Sequence, residues 1–331
     1  MKKYKFRDLT TFRIGGEIKY FFDVKNEREL VKKVVFAKSK NLPIFVIGGG
    51  SDILVSDEKY NGVVIRYIGK NIEYQDNLVT AEAGASWDDL VASVVKKNLG
   101  GIESLSGIPG SVGAAPIQNI GAYGQELSDV FVSLDAYDIE NQKFVKLNKS
   151  DCKFGYRDSL FKKRDYWQKY IITKVTLKLQ KNKKPIVKYK SIIDSLPKNY
   201  SLKQVRELII KTRNEKLDDW KSIPNAGSFF KNPTLSKKEI TKLREKYPDI
   251  KCFDNKDGTS KCFAGWFIQN AGWLGKSYKN AKVSDKHALV LTNPKGRATS
   301  KEIVELAEKI QESVFIKFGV KLEPEVQYIN F

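Results

Sequence analysis

The chain has 331 residues, enough for two or three domains with ample core volume. Hydrophobic residues make up 41% and aromatics 11%, ordinary for a globular protein, and no run of about 18 apolar residues exists to span a membrane. The formal charge of +20 would suit a nucleic-acid partner, but the lysines are scattered along the chain, so none is expected; the charge instead steers an anionic small substrate.

The first region runs from 1 to about 60. Its basic N-terminus lacks the apolar core of a signal peptide. Asn26 and Glu29 mark a helix start, with Leu30, Val31, Val34 and Val35 on one face, and Asn41-Leu-Pro stops it. Ile44 to Ile47 reads as a short buried strand. It leads into Gly48-Gly49-Gly50-Ser51-Asp52 and a second strand-like run, Ile53-Leu54-Val55. Gly48 and Gly50 fit the start of a dinucleotide fingerprint, but Ile53 takes the place of its third glycine and strand follows instead of helix. A strand–glycine–strand corner remains, able to aim consecutive N–H groups at phosphate.

The second region, 61 to 180, is rich in strands: Val63–Ile68, Leu78–Ala83, Val130–Ile139 and Tyr170–Leu179. One helix interrupts them, opened by Ser86 and Asp89, with Gly100-Gly101 just past its end. Between Ser104 and Gly124, 21 residues contain five glycines, two prolines and no charge, in a chain that is 30% charged. Glycine and proline forbid a regular helix, and the apolar residues would be wasted in a flexible linker. This is ordered backbone lying close to something large, flat and partly apolar. Two glycine-dense loops flanking a strand-rich region suggest an extended pyrophosphate cofactor, and flavin adenine dinucleotide meets both demands.

The third region, 181 to 319, is signalled by helix starts at Ser201 with Gln204, Ser236 with Glu239, and Thr299 with Glu302, the last closed by Gly319. His287–Leu291 reads as a strand, and so does the tail Leu322–Ile329. A C-terminal strand within 320–331 is a candidate to return to the first region. Helices and strands without strict alternation argue for an α+β fold.

Several residues stand out chemically. In Phe154-Gly-Tyr-Arg-Asp-Ser, Arg157 sits among apolar neighbours and needs an anion, either Asp158 or a substrate carboxylate. In Asn225-Ala-Gly-Ser-Phe-Phe-Lys-Asn-Pro, Ser228 places a hydroxyl beside a dry aromatic wall, or else merely satisfies a turn. No Gly-x-Ser-x-Gly elbow points to a serine hydrolase. The single histidine, His287, leaves no histidine-rich metal site, and Cys152, Cys252 and Cys262 show no metal spacing. A sparse, odd cysteine count fits a reducing cytoplasm. Glu325, between Pro324 and Val326, is a candidate half-buried acid.

Taken in order, Gly48-Gly-Gly-Ser, Ile108-Pro-Gly-Ser-Val-Gly-Ala-Ala-Pro-Ile-Gln-Asn-Ile-Gly-Ala-Tyr-Gly, Phe154-Gly-Tyr-Arg-Asp-Ser, Ala226-Gly-Ser-Phe-Phe-Lys-Asn-Pro and Leu322-Glu-Pro-Glu-Val resemble the UDP-N-acetylenolpyruvoylglucosamine reductase family. The resemblance runs from about Thr10 to Ile329. It implies a two-part, non-covalent FAD-binding unit of the vanillyl-alcohol-oxidase/PCMH type (1–60 and 61–180) and an α+β domain for the UDP-sugar (181–319). The flavin would lie against Gly48, Gly49, Gly50, Ser51, Asp52, Pro109, Gly110, Ser111, Gly113, Ala114, Ile117, Asn119, Gly121, Ala122 and Gly124, with Arg213 near it. Ser228 would donate a proton, while Arg157 and Glu325 stabilise the substrate carboxylate. Tyr189, Lys216, Asn232 and His287 would contact the UDP-sugar.

Resemblance to this family implies an NADPH-dependent cytoplasmic reductase of peptidoglycan precursor synthesis, acting as a monomer on small molecules. The rival flavin reading is an oxidase of the same architecture. Many of those attach flavin to a histidine near the N-terminal glycine loop, which this chain lacks. Three departures stand out. Asp52 replaces the usual asparagine, Ala114-Ala115 replaces a pair that is sometimes more polar, and His287 replaces a frequent glutamine. If His287 titrates near its ordinary value, UDP-sugar binding weakens above about pH 7.

Overall fold

The structure, a computed structural model, describes residues 3–181, 185 and 187–331. The chain divides into two compact units. One comprises 1–4, 18–50 and 60–213; the other comprises 5–17, 51–59 and 214–331.

In the first unit, the strands Glu17–Val24, Tyr60–Tyr67 and Ile44–Val46 pair in parallel, with Tyr60–Tyr67 in the middle. Helix α1 (Glu27–Ser39) is the crossover that carries the chain from Glu17–Val24 to Ile44–Val46, on the far side of Tyr60–Tyr67. The Asn26 side chain caps it by accepting from the Glu29 amide, and Leu30, Val34 and Ala37 turn one face into the core. A second, antiparallel sheet orders its five strands as Lys143–Asn148, Phe131–Asp138, Tyr170–Lys178, Leu78–Glu82 and Ile72–Gln75.

Helix α2 (Trp87–Lys96) is capped by Ser86 as its sequence predicts. Its end differs from expectation. Asn98 takes the left-handed conformation (φ 55°), and Gly100 belongs to a short strand, Leu99–Gly100. Asparagine tolerates that conformation, so glycine is not needed there. Helix α3 (Lys190–Ile193) is a single turn that carries no capping signature in the sequence. Helix α4 (Leu202–Lys216) starts where Ser201 and Gln204 exchange hydrogen bonds.

In the second unit, an antiparallel sheet orders Asn225–Ser228, Val290–Thr292, Ala281–Val283 and Ser277–Tyr278. A smaller sheet orders Thr234–Leu235, Ser260–Cys262 and Cys252–Asp254. Helices α5 (Lys237–Lys246) and α7 (Ser300–Phe318) open on the expected capping boxes, and Gly319 (φ 70°) closes α7. Helix α6 (Ala264–Asn270) lies between them in sequence. Phe12, Phe229, Phe230 and Phe267 are fully buried in this core.

Two strand expectations are corrected. His287–Leu289 forms a turn, closed by the Val290 amide on the His287 carbonyl, and strand begins only at Val290. Of the tail, only Gln327–Ile329 is strand, paired in parallel with Ile53–Val55. Cys252 and Cys262 form a disulfide across neighbouring strands. Cys152 stays a buried thiol, so the cysteine count carries no argument for a reducing compartment. No helix among the described residues is long and apolar enough to cross a membrane.

Candidate active site

In the first unit, the glycine-rich segment lies against the end of a sheet strand and the start of α2. The Val112 and Gly113 amides donate to the carbonyls of Ala85 and Ala83, and the Trp87 amide donates to Gly110. Gly113 is required for that contact, since a Cβ there would stand 2.5 Å from Ala83 Cβ.

The two glycine loops interlock. A Cβ on Gly48 would meet Ser111 Oγ at 2.7 Å and Ala114 Cβ at 2.9 Å. One on Gly49 would meet Gly110 Cα at 2.7 Å. Among the described residues, the amides of Gly48, Gly49 and Gly50 donate to no protein acceptor, which suits a ligand's phosphate oxygens. Gly50 and Asp52 take left-handed φ of 68° and 60°. Aspartate accepts that conformation as asparagine does, so the departure at Asp52 leaves the turn intact.

The rest of the segment is held by side chains. Asn119, left-handed and buried, donates through Nδ2 to Glu126 and to the Gly155 carbonyl and accepts from the Ser128 amide. Its side chain therefore works as a clamp on the loop. Ser159 Oγ donates to the Ile117 carbonyl. Arg157 donates to the Gly121 carbonyl at 2.6 Å and stacks its guanidinium over Tyr156. Asp158 pairs with Lys163. Gly121 has no room for a side chain, with Arg157 Nη1 3.0 Å from where a Cβ would be. Gly124 (φ 81°) packs on Lys188. Tyr189 stands edge-to-face on Tyr123 of the same segment at 5.7 Å, and burial raises the pKa of both phenols.

Arg213, on α4, packs its Cδ and Nε against Gly107. Burial pulls its pKa down, although Tyr123 and Asp88 oppose the shift. A desolvated guanidinium of this kind favours an anionic ligand. Gln118 was not singled out in the sequence, yet its Oε1 is buried and, among the described residues, has no hydrogen-bond partner. A ligand N–H would satisfy it. Only tertiary packing reveals that vacancy, because glutamine in a loop is ordinarily solvated. Bare amides, interlocked glycines, a desolvated cation and a buried acceptor together fit FAD.

In the second unit, Ser228 ends the strand Asn225–Ser228, whose pairing with Val290–Thr292 is broken by a bulge between Asn225 and Ser228. Gly227 makes the bulge at φ 77°, with nothing within 4 Å of a Cβ there, so conformation rather than space demands glycine. The Asn225 side chain fixes it by accepting from the Gly227 amide. A bulge re-aims the side chain that follows it, here the Ser228 hydroxyl.

Glu325 comes to the same place through backbone pairing. Its amide donates to the Phe229 carbonyl, and Pro324 bridges Phe230. Glu325 is half-buried. Asn232 accepts from the Ala264 amide at the start of α6, so its Oδ1 already holds one donor. Lys216 is the exposed last residue of α4.

His287 departs from expectation. Burial, reinforced by the charge of Lys216, holds its pKa below the usual imidazole value. Its Nδ1 accepts from the Leu289 amide at 3.2 Å, so the proton of the neutral ring sits on Nε2. The ring is therefore neutral near pH 7, and a loss of binding above that pH does not come from this residue.

The profile described as FAD binding domain matches residues 18–148, and that described as UDP-N-acetylenolpyruvoylglucosamine reductase, C-terminal domain, matches 217–329. Curated proteins named UDP-N-acetylenolpyruvoylglucosamine reductase are similar along their whole length. The Buchnera aphidicola protein is 40% identical, with 100% of both chains covered, and the Flavobacterium johnsoniae protein is 39% identical, with 98% of both covered. The chain belongs to this family.

It is a flavin-dependent oxidoreductase with FAD as cofactor. The fold agrees with the crystal structure of the reductase of that name from Thermus caldophilus, at a TM-score of 0.72 and 24% identity over 99% of this chain and 98% of that one. The expected α+β architecture with an FAD-binding unit stands.

Proposed function

We propose that this protein reduces UDP-N-acetylglucosamine enolpyruvate to UDP-N-acetylmuramate at the expense of NADPH. It would supply peptidoglycan precursors as a cytoplasmic monomer, with a two-part flavin unit and a UDP-sugar domain divided near residues 60 and 180. The observation that carries the reading is the bond from the Glu325 amide to the Phe229 carbonyl, which brings Glu325 beside the residue that follows Ser228, next to the buried Phe229–Phe230 wall.

Bound FAD would supply the hydride chemistry, from NADPH to the β-carbon of the enolpyruvyl ether. The chain's residues do the rest. Gly48, Gly49, Gly50, Ser51 and Asp52, with Pro109 to Gly124, hold the cofactor chiefly by main chain, and Arg213 supplies positive charge. Arg157 and Glu325 bind the substrate carboxylate as charge builds on it, and such stabilisation is strongest where water is excluded. Ser228 holds a proton on Oγ and delivers it to the α-carbon. Serine is a feeble acid, but a carbanionic centre is basic enough to take its proton. Tyr189, Lys216, the Asn232 Nδ2 group and the His287 Nε2–H recognise the UDP-sugar, Lys216 through a diphosphate oxygen.

The test is turnover of the enolpyruvyl substrate by purified protein with NADPH, followed by identification of the lactyl ether product. Oxygen consumption without NADPH would favour the oxidase reading instead.

A further inference from the structure

The first turn of α2 grips the start of the glycine-rich segment at three points. The Trp87 indole donates to the Leu105 carbonyl, the Trp87 amide donates to Gly110, and the Gly107 amide donates to Asp88 Oδ1 at 2.6 Å. The same Asp88 carboxylate receives both terminal nitrogens of Arg206, at 2.6 and 2.8 Å. Arg206 lies on α4, and its side chain is 16% exposed.

Seven residues, close to two turns, separate Arg206 from Arg213, so both fall on one face of that helix. Arg213 then meets Gly107 itself. A Cβ at Gly107 would stand 3.2 Å from both its Cδ and its Nε, and Gly107 takes φ 71°. One carboxylate thus ties the loop amide to the helix that carries the guanidinium packed on that loop. Two part-buried cations share this single anion, and the bidentate pair with Arg206 occupies it. The charge of Arg213 is left over for a ligand.

We propose that Asp88 is a positioning residue of the flavin site, fixing Gly107 and Arg213 relative to each other through Arg206. The proposal rests on the reading that Arg213 faces the flavin. Burial alone would hinder ionisation of Asp88, but the hydrogen bonds from Arg206 and Gly107 and the nearby charge of Arg213 lower its pKa, so the carboxylate is charged at neutral pH.

The test uses purified holoprotein and reads flavin released on dilution by its fluorescence, together with the midpoint potential of the bound flavin. Thermal unfolding checks the fold of each variant. Asp88→Ala removes the acceptor for Gly107 and the partner of Arg206, and flavin should be held on the order of tenfold or more weakly, with a shifted potential. Asp88→Asn keeps an oxygen for Gly107, so its loss should be smaller.

The exchange Asp88→Arg with Arg206→Asp is the decisive variant. It can rebuild the ion pair between helices, but arginine cannot accept from an amide. Unfolding temperature should recover while flavin affinity does not. Recovery of both would make the pair merely structural and overturn the proposal, as would unchanged affinity and potential in Asp88→Ala. Arg213→Ala separates the two readings. If it weakens flavin while Asp88→Ala does not, only the proposal fails; if it leaves affinity and potential untouched, the underlying reading of Arg213 fails and takes the proposal with it.

Discussion

The amide of Glu325 donates to the carbonyl of Phe229 at 2.8 Å, which places the C-terminal acid one residue from Ser228 although 97 positions separate the two in the chain. Main chain sets this neighbourhood, so side-chain substitutions there should alter chemistry without dismantling it.

Ser228→Ala therefore separates the two halves of the reaction. Bleaching of the flavin by NADPH should persist in stopped-flow absorbance. Reoxidation by the enolpyruvyl substrate should slow by on the order of a hundredfold or more. Loss of both halves together would make Ser228 a structural residue.

The glycines of the first loop and of the bulge should fail differently. In Gly49→Ala the new methyl meets the Gly110 backbone at 2.7 Å, which cannot swing aside. Overpacking of about 1–3 kcal/mol then separates the loops, and flavin is lost by roughly tenfold, read as visible absorbance per protein. Gly227→Ala has open space and faces only the left-handed backbone penalty of about 1–2 kcal/mol, so it should lower the unfolding temperature and retain flavin.

His287 yields a pH prediction with a definite sign. Its pKa is depressed by burial and by Lys216, so the folded ring is neutral at pH 7 and above. UDP-sugar affinity measured by calorimetry from about pH 7 to pH 8 should show the same slope in the parent and in His287→Gln. On the acid side the unfolded chain binds a proton, near its ordinary value of about 6.5, that the folded ring resists. The contribution of His287 to stability is complete above that pH and declines as pH falls below it. Denaturant midpoints of the parent and of His287→Gln should diverge only in acid.

The Cys252–Cys262 bridge joins neighbouring strands of the small sheet, and Asn232 reaches that region through the Ala264 amide. Removing it with Cys252→Ala and Cys262→Ala should cost about 2–4 kcal/mol of stability. Scanning calorimetry of the parent with and without dithiothreitol should show the same drop, and the double variant should be insensitive to the reductant.

Capping pairs were fully legible in the sequence. Asn26 with Glu29, Ser86 with Asp89, and Thr299 with Glu302 each start a helix as read, because the bonds involved span three residues. An end or a strand that depends on distant pairing leaves no such local mark. His287–Leu289 carries strand-like residues, but the bonds of the Ser284 and His287 main chain close it into a turn. The disulfide leaves no trace in the sequence because ten residues of spacing say nothing about register.

Local chemistry written into the sequence determined the glycine loops, the helix starts, the family and its cofactor, since glycine spacing and capping residues act over a few positions. The tertiary structure alone decided what those loops touch. It turned Asn119 into a clamp, left Gln118 with a buried open acceptor, made His287 a neutral donor, and bound Asp88 to Gly107 and Arg206 together. Burial and partnership between residues far apart in the chain have no local signature, because desolvation and hydrogen bonding depend on what the fold brings alongside.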